Sequence, residues 1–344
     1  MSTSVLIDGR EFVLGRRTGI GRFLEGLLRA LVETHPDWQL MIVMDEPQAL
    51  PESLRGKVEV QKAPPSLEWH FPTLAEGYDL FLSPYPKLPV RKLPCPSIHT
   101  IHDVFYLTHP AYQGNILKRW AGLWRVKHAL FKSDLTWCDS QASLEETQGL
   151  ANQFQPYHIR FPAIEPSFKP DRRIKRQAFF LFVGNGLPHK NVRVLLQAIE
   201  GTTIQLQCVG IRQSVADELC AIFPWAKQQV TFLQDVDDVA LLKLYRQCAA
   251  LLQPSTAEGY GYPPLEAFAC GTPAIVSDIP VLRETTGGFA TFCAPHDWRT
   301  WQYTLRNFQR DELQVSQVLD WAKQHQGQQG WAAHIQDIEA LVQN

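Results

Sequence analysis

Short apolar runs closed by Gly, Pro, Ser or Asp alternate with stretches of helical periodicity along the whole chain. A run without polar alternation is what a strand covered on both faces requires. A helical stretch between two such runs supplies the crossover that parallel pairing needs. In the first half the runs Val5–Asp8, Leu40–Met44, Val58–Gln61, Leu80–Ser83, Ile98–Asp103, Leu135–Ser140 and Ile159–Phe161 predict strands. In the second half Phe179–Gly184, Ile204–Gly210, Val230–Leu233, Ala250–Pro254, Ala274–Ser277 and Thr291–Cys293 predict strands. Two such sets in series predict an α/β chain with two doubly wound sheets. Pro162–Arg176, rich in Pro, Lys and Arg and without clean periodicity, reads as a linker with the boundary near residue 170. Trp331–Val342 sets Ile335, Ile338, Leu341 and Val342 at helical spacing, which predicts a last helix packed on an existing sheet. The expected division is a first domain 1–170, a second 171–325, and a helix in 326–344 crossing back to the first.

Composition narrows the partners. At 344 residues and 45% apolar the chain can bury two cores, and a net charge of −2 argues against nucleic acid as the bulk partner. The seven cysteines are scattered and never in a Cys-x-x-Cys spacing, so they read as reduced thiols without a disulfide framework or zinc site. The start Met1-Ser2-Thr3-Ser4 lacks the order of a secretion signal, and no apolar run is long enough to span a bilayer. A cytoplasmic chain is therefore expected. Charge is uneven, however: between Tyr85 and Lys132 there are eight Lys or Arg (87, 91, 92, 118, 119, 125, 127, 132) against one acid, Asp103.

The densest chemistry lies in Ser255-Thr-Ala-Glu258-Gly259-Tyr260-Gly261-Tyr262-Pro263-Pro264-Leu265-Glu266-Ala-Phe-Ala-Cys270-Gly271-Thr-Pro273. It reads as strand, glycine loop and helix, with the prolines in the first turn and Gly271 at the stop. A helix from about Pro264 to Cys270 would present free amides and its positive end to a phosphate, with Gly259, Tyr260, Gly261, Tyr262 and Leu265 as candidate donors. Glu258 and Glu266 could both project toward one ligand and accept from paired hydroxyls.

This run, with Ser277-Asp-Ile-Pro280 and Glu284 after it, resembles the signature of family-4 retaining glycosyltransferases. The resemblance implies the GT-B fold, two Rossmann-like domains facing a central cleft, with the nucleotide held mainly by the second domain and the acceptor mainly by the first. It also implies that Glu258 contacts the donor hexose and Glu266 the ribose hydroxyls. Gly184-Asn185-Gly186-Leu187-Pro188-His189-Lys190 looks like the family's phosphate-binding turn, after a strand and before a helix. Lys190 would then neutralise the departing diphosphate. Many members carry an Arg just before this Lys; here Asn185 or Gly186 stands in its place, and His189 or Arg193 would have to compensate. The turn after the second strand of this half ends in Gly210, which joins the expected donor site.

Thr18-Gly19-Ile20-Gly21-Arg22-Phe23 resembles the family's glycine loop closing on the donor phosphate, with Arg22 or Arg16 adding charge. Ile98-His99-Thr-Ile101-His102-Asp103 ends a strand, and by the resemblance His102 lies beside the transferred sugar, while His99 is left as structural. His102, Glu258 and Lys190 are thus the expected catalytic residues. Asp235-Val-Asp237-Asp238 has a metal-binding spacing, but its place between strand and helix makes Asp237 or Asp238 an N-cap. No metal or other cofactor is expected. The donor would be a nucleotide sugar, GDP-mannose before a UDP-hexose, and the acceptor a hydroxyl of a glycan or lipid-linked sugar.

In Gly114–Lys132, Ile116, Trp120, Leu123 and Leu130 form an apolar stripe, with Lys118, Arg125 and Lys132 on another side. The bland reading is a packed helix with a solvated basic face. The sharper reading, with Trp120, Trp124 and Arg119 nearby, is a peripheral contact with an anionic membrane or with the phosphate of a lipid-linked acceptor. The rivals to a transferase are a sugar-nucleotide epimerase of the same fold and a non-catalytic nucleotide-binding scaffold. A nicotinamide dehydrogenase is disfavoured because Gly19-Ile-Gly21 lacks the third glycine of the dinucleotide fingerprint.

Overall fold

In a computed structural model, residues 2–343 are described except 16–17, 66, 87–90, 113–115 and 152–155. Arg16, Lys87 and Gly114 lie outside the described residues, as do the side chains of Ile116 and Lys118. Contacts divide the chain into two compact units, Met1–Ala163 with Gly327–Asn344, and Ile164–Gln326.

The first unit is built on β1 (Ser4–Asp8), β2 (Gln39–Met44), β3 (Glu59–Lys62), β4 (Leu80–Ser83), β5 (Ser97–Ile101), β6 (Leu135–Cys138) and β7 (Tyr157–Ile159). They form one parallel sheet in the order β3-β2-β1-β4-β5-β6-β7. The central strands β4, β5 and β6 are buried at every residue, while the edge strand β3 is mostly exposed. That contrast is why the central runs are continuously apolar and the edges are not. The last strand pairs two residues earlier than the expected Ile159–Phe161, because Ile159 already stands beside Cys138, the final residue of β6.

Alternation along β1 sends Val5 and Ile7 to one face and Leu6 to the other. On the first face packs the helix Gly19–Thr34, through Phe23, Leu24, Leu27 and Leu31. Burying each of these side chains contributes about 1.5–3 kcal/mol. The helix begins earlier than its apolar spacing suggests. Thr18 is the N-cap, and its Oγ1 accepts from the Gly21 N–H at 2.9 Å, so Gly19 and Gly21 form the first turn rather than an open loop.

The final helix, Gly327–Val342, belongs to the same core through Trp331, Ile335 and Ile338. Gly26 permits its approach: a Cβ there would stand 2.8 Å from Trp331 Cζ2. A polar clamp fixes its orientation. The Asp337 carboxylate, 7% exposed, accepts from Trp137 Nε1 at 2.8 Å, His158 Nδ1 at 2.8 Å, and Arg160 Nε and Nη2 at 2.7 Å each.

The second unit holds β8 (Phe179–Val183), β9 (Gln205–Val209), β10 (Val230–Leu233), β11 (Leu251–Gln253), β12 (Ala274–Ser277) and β13 (Thr291–Cys293). Their order is β10-β9-β8-β11-β12-β13, again all parallel. From Ile164 onward the expected linker belongs to this unit. Phe168 is buried, and the Arg176 guanidinium donates to the carbonyls of Cys248 and Gly271 and to Thr272 Oγ1. Its prolines and cations signalled irregular backbone, and irregular backbone can still be packed. Asp237 caps the helix Asp238–Gln247, accepting from Ala240 N–H at 2.7 Å. The seven cysteines are free thiols.

Burial raises the Asp337 carboxyl, but its bonds to Arg160, His158 and Trp137 outweigh this and hold it below its ordinary 3.8. A depressed folded-state value means stabilisation that is present above 3.8 and lost as pH falls through the folded-state value. Asp337→Asn should therefore lower stability by about 2–3 kcal/mol at neutral pH, followed by urea unfolding and the fluorescence of neighbouring Trp137 and Trp331. The deficit should shrink in acid below the ordinary carboxyl value. An undiminished deficit there would assign the loss to packing rather than charge.

Candidate functional site

In the second unit the strand order reverses between β8 and β11. Crossovers leaving such neighbours run to opposite faces of the sheet and leave an opening at the carboxyl ends, where open α/β sheets place ligands. The loops after β8 and β11 meet there. Gly184, Asn185 and Gly186 turn the chain out of β8, with Asn185 Oδ1 accepting from Leu187 N–H at 3.2 Å and Gly186 at φ 70°. A short 3-10 turn, Pro188–Lys190, then leads to the helix Val192–Ile199.

Three ties bind this loop to the loop after β11. Asn191 Nδ2 donates to the Pro254 carbonyl at 3.0 Å, and Thr256 N–H donates to the His189 carbonyl at 2.8 Å. The third tie is ionic. Lys190 Nζ donates to Glu258 Oε1 at 2.7 Å and Oε2 at 2.9 Å, the side chains being 15% and 7% exposed. Ser255 Oγ donates to the same Oε1 at 2.6 Å, and Gln253 Nε2 also donates to it. Burial pushes the Glu258 carboxyl up, but the Lys190 ammonium and the Ser255 hydroxyl outweigh it, so the group stays ionised below its ordinary value.

Beyond Glu258 the helix runs Tyr262–Ala269, starting before the expected Pro264, with Gly261 as N-cap at φ 87°. A side chain on Gly261 would be strained by that φ, and its Cβ would lie 2.8 Å from Leu282 Cδ2. Pro263 and Pro264 occupy the first turn, where an N–H would have no helical partner. Leu265 is the fourth helical residue, whose N–H in a regular helix turns back to the N-cap carbonyl. Gly261 and Tyr262 are the N-cap and first residue of this helix. Gly259 and Tyr260 lie in the loop before them, and the Tyr260 and Tyr262 rings meet edge on at 5.3 Å. Across the sheet end, Gly210 stands so near that a Cβ would be 3.1 Å from the Gly184 carbonyl oxygen.

Not every expected residue is presented in the same way. Glu266 is 1% exposed and accepts from the Tyr245 hydroxyl at 2.6 Å. It is the fifth residue of a helix that is buried from Pro264 to Ala269. His189 is also buried, at 3% exposure. Arg193 instead lines a cavity of about 440 Å³ with Asn185, Gly186 and Leu187.

In the first unit the reversal falls between β1 and β4. Past the carboxyl end of β5, His102 Nδ1 bonds Asp139 Oδ2 at 2.7 Å and Nε2 bonds the Pro84 carbonyl at 2.8 Å. Burial lowers this imidazole's pKa, yet Asp139, Asp103 and the Pro84 carbonyl outweigh burial and raise it above its ordinary value. Two acceptors on two ring nitrogens fit the doubly protonated imidazolium. His99 is fully buried without a hydrogen-bond partner among the described residues, and burial pushes it down to about 3. Its structural reading and the catalytic reading of His102 therefore rest on opposite charge states.

The Gly19 and Gly21 reading changes most. Gly21 N–H is already committed to Thr18, so a phosphate could meet it only by displacing the cap. Sequence reasoning passed over Asp8, at the carboxyl end of β1. It is fully buried, accepting from Arg10 Nη2 at 2.6 Å and the Tyr85 hydroxyl at 2.8 Å. The signal was an acid ending the apolar run Val5–Ile7. Gln253 and Ser255, alternate residues at the end of β11, were likewise passed over as the partners that orient Glu258.

The family model described as Glycosyl transferases group 1 matches residues 164–325, the second unit nearly end to end. The O-antigen chain mannosyltransferase RfbU of Salmonella typhimurium is 33% identical over 140 residues, 40% of this chain and 40% of that protein. The chain thus covers well under half the length of that curated relative. Among solved structures, Anabaena HepE in complex with UDP and glucose is similar over 99% of this chain and 100% of its own, at TM-score 0.76 and 16% identity. Sucrose-phosphate synthase from Thermosynechococcus elongatus reaches TM-score 0.78 over 99% of this chain and 98% of its own, at 17% identity. Residues 164–325 thus match the glycosyl transferases group 1 model, in a chain whose two Rossmann-like domains have the fold of the GT-B glycosyltransferases.

Proposed function

We propose that the chain transfers a hexose, mannose before others, from a nucleoside-diphosphate sugar to a hydroxyl of a glycan or lipid-linked acceptor, with retained anomeric configuration. The carrying observation is the Lys190–Glu258 pair at the β8/β11 reversal, beside the start of the helix Tyr262–Ala269. As the bond from the sugar's anomeric carbon to the diphosphate breaks, its electron pair stays on the phosphate oxygen. An ammonium at Lys190 and amides near Gly261 and Tyr262 meet that growing charge, and Arg193 adds a second cation. Glu258, an oriented anion, accepts from the hexose hydroxyls once the diphosphate draws Lys190 away. Gly184, Asn185 and Gly210 let backbone approach the phosphates, and Glu266 serves the nucleotide ribose or holds the helix that does. No metal enters this reading.

The relative named as a mannosyltransferase supports mannose, and the neighbour solved with UDP and glucose keeps a UDP-sugar as the competing donor. His102 acts on the acceptor side as a fixed positive charge, since both ring nitrogens face acceptors. A lipid-linked acceptor would bring the chain to an anionic membrane as a peripheral protein.

Donor choice is read by thermal shift with GDP, UDP and their sugars. A ligand at about a hundred times its Kd adds about 2.7 kcal/mol and raises the melting temperature by several degrees. GDP-mannose should give the largest rise, and no rise with any nucleotide would sink the proposal. Glu258→Gln should cut turnover about ten- to hundredfold while keeping the donor-induced shift, and Lys190→Ala should lose both. Equal turnover in both variants and wild type would remove the pair from the chemistry.

His102 carries a separate prediction. With its pKa raised, the charged form is held up to a higher pH than an ordinary histidine, and activity should fall as pH climbs through that value. Asp139→Asn removes the strongest raising influence, so the alkaline limb of kcat/KM should move to lower pH. A limb that stays in place would deny His102 a charged role.

A further inference from the structure

The helix Ile116–Lys132 carries apolar residues on two faces. Trp120, one member of the apolar stripe marked out by spacing, is 71% exposed. Leu117, Trp124 and Phe131 are 81%, 55% and 56% exposed, while Val126, Ala129 and Leu130 are buried. At about 100° per residue, positions 117, 120, 124 and 131 fall within a wedge of about 60° that runs about 21 Å along the axis. This outward wedge is apolar, and three basic residues flank it. Lys127 lies on one border, and Arg125 and Lys132 on the other. The helix carries five Lys or Arg and no acid. Trp124 stacks on His128 at 5.1 Å, and Tyr106, 42% exposed, extends the aromatic surface from the neighbouring short helix Phe105–Thr108.

A soluble helix with a core-facing apolar side needs no second apolar side, and exposing two tryptophans, a leucine and a phenylalanine in a row is costly in water. We propose that this outer face is a membrane-docking surface, with Leu117, Trp120, Trp124 and Phe131 entering the headgroup and acyl boundary and the flanking cations meeting anionic lipid. Indole rings favour that boundary, and Lys and Arg stems reach up from beside it to the phosphates. The charge selects lipid over a second copy of this chain. Two such helices brought together would set like charges against like, since neither carries an acid. No described helix is long and apolar enough to cross a membrane, so the contact is peripheral. The inference deepens the reading of a lipid-linked acceptor and rests on it for what the docking serves, but the docking can be measured without turnover.

The full chain should sediment with vesicles of equimolar phosphatidylcholine and phosphatidylglycerol, remain in solution with phosphatidylcholine alone, and be released at high ionic strength. Trp120→Ser with Trp124→Ser should lower partitioning about tenfold or more. Each of Arg125→Gln and Lys132→Gln should lower it about fivefold. All of these substitutions are at exposed positions, and each variant should keep the wild-type thermal shift with nucleotide sugar, which separates docking from the donor site. Failure to bind either vesicle, or double-tryptophan variants that sediment as wild type, would overturn the proposal. So would a self-associated wild-type chain that the tryptophan changes return to monomer, since the face would then be an interface between copies.

Discussion

A carboxylate taken out of water has to find a counter-charge or a proton, and Glu258 finds Lys190. Desolvating two ions costs several kcal/mol each, a cost that close geometry and extra hydrogen bonds must offset. Here the ammonium reaches both carboxylate oxygens, and Ser255 and Gln253 complete the set. The pair comes from loops following two different strands, so it also holds closed the one place in the sheet where the crossovers part. Removing either partner leaves a buried charge, which is why the pair constrains the loops so strongly. It also means that the ammonium is occupied until something more negative arrives. On the proposed reading a diphosphate is that competitor, and binding it frees Glu258 to accept from a sugar.

Much of this fold could be read from periodicity because parallel sheets are covered on both faces. Runs such as Phe179–Val183 and Leu80–Ser83 have no polar alternation that could be mistaken for a surface strand. What periodicity could not decide is which side of a helix is the covered side. In Ile116–Lys132 apolar residues occupy two faces, and the spacing of Trp120 with Leu123 and Leu130 fits a core stripe as well as the true one, Val126, Ala129 and Leu130. Only the position of the sheet and of Leu107, against which Gly122 packs, separates them. The start of the first helix was missed for a different reason: Thr18 is a better cap than Gly19 or Gly21 is a breaker, and capping won.

The candidate site was legible where chemistry is local and opaque where it is not. Glu258, Gly261 and the two prolines lie within a few residues of one another, and their order alone implies a helix start. The partnership of Lys190 with Glu258 spans 68 residues and follows from strand order, which no local pattern states. Glu266 shows the converse. Its spacing from Glu258 suggests a shared ligand, but no spacing announces its hydroxyl partner, Tyr245, which belongs to a different helix. Asp337 was likewise visible only as one polar residue among the apolar positions of the last helix. Its four donors come from strands or strand ends nearly two hundred residues earlier in the chain.

The buried histidines of the first unit show how the same rule about partners limits the chemistry. Among the described residues His99 and His334 have no hydrogen-bond partner, and burial pushes each down to about 3, so both remain neutral. His102 has two partners, both acceptors, and is raised. An imidazolium that donates both of its N–H groups has no lone pair with which to take a proton from an acceptor hydroxyl. On the proposed reading that proton must go elsewhere, and the reaction supplies a base of its own: the phosphate oxygen that gains charge as the bond to the sugar breaks. His102 then influences the transfer through its charge and by holding the Pro84 and Asp139 strand ends together. The base is the leaving group that Lys190 is placed to steady.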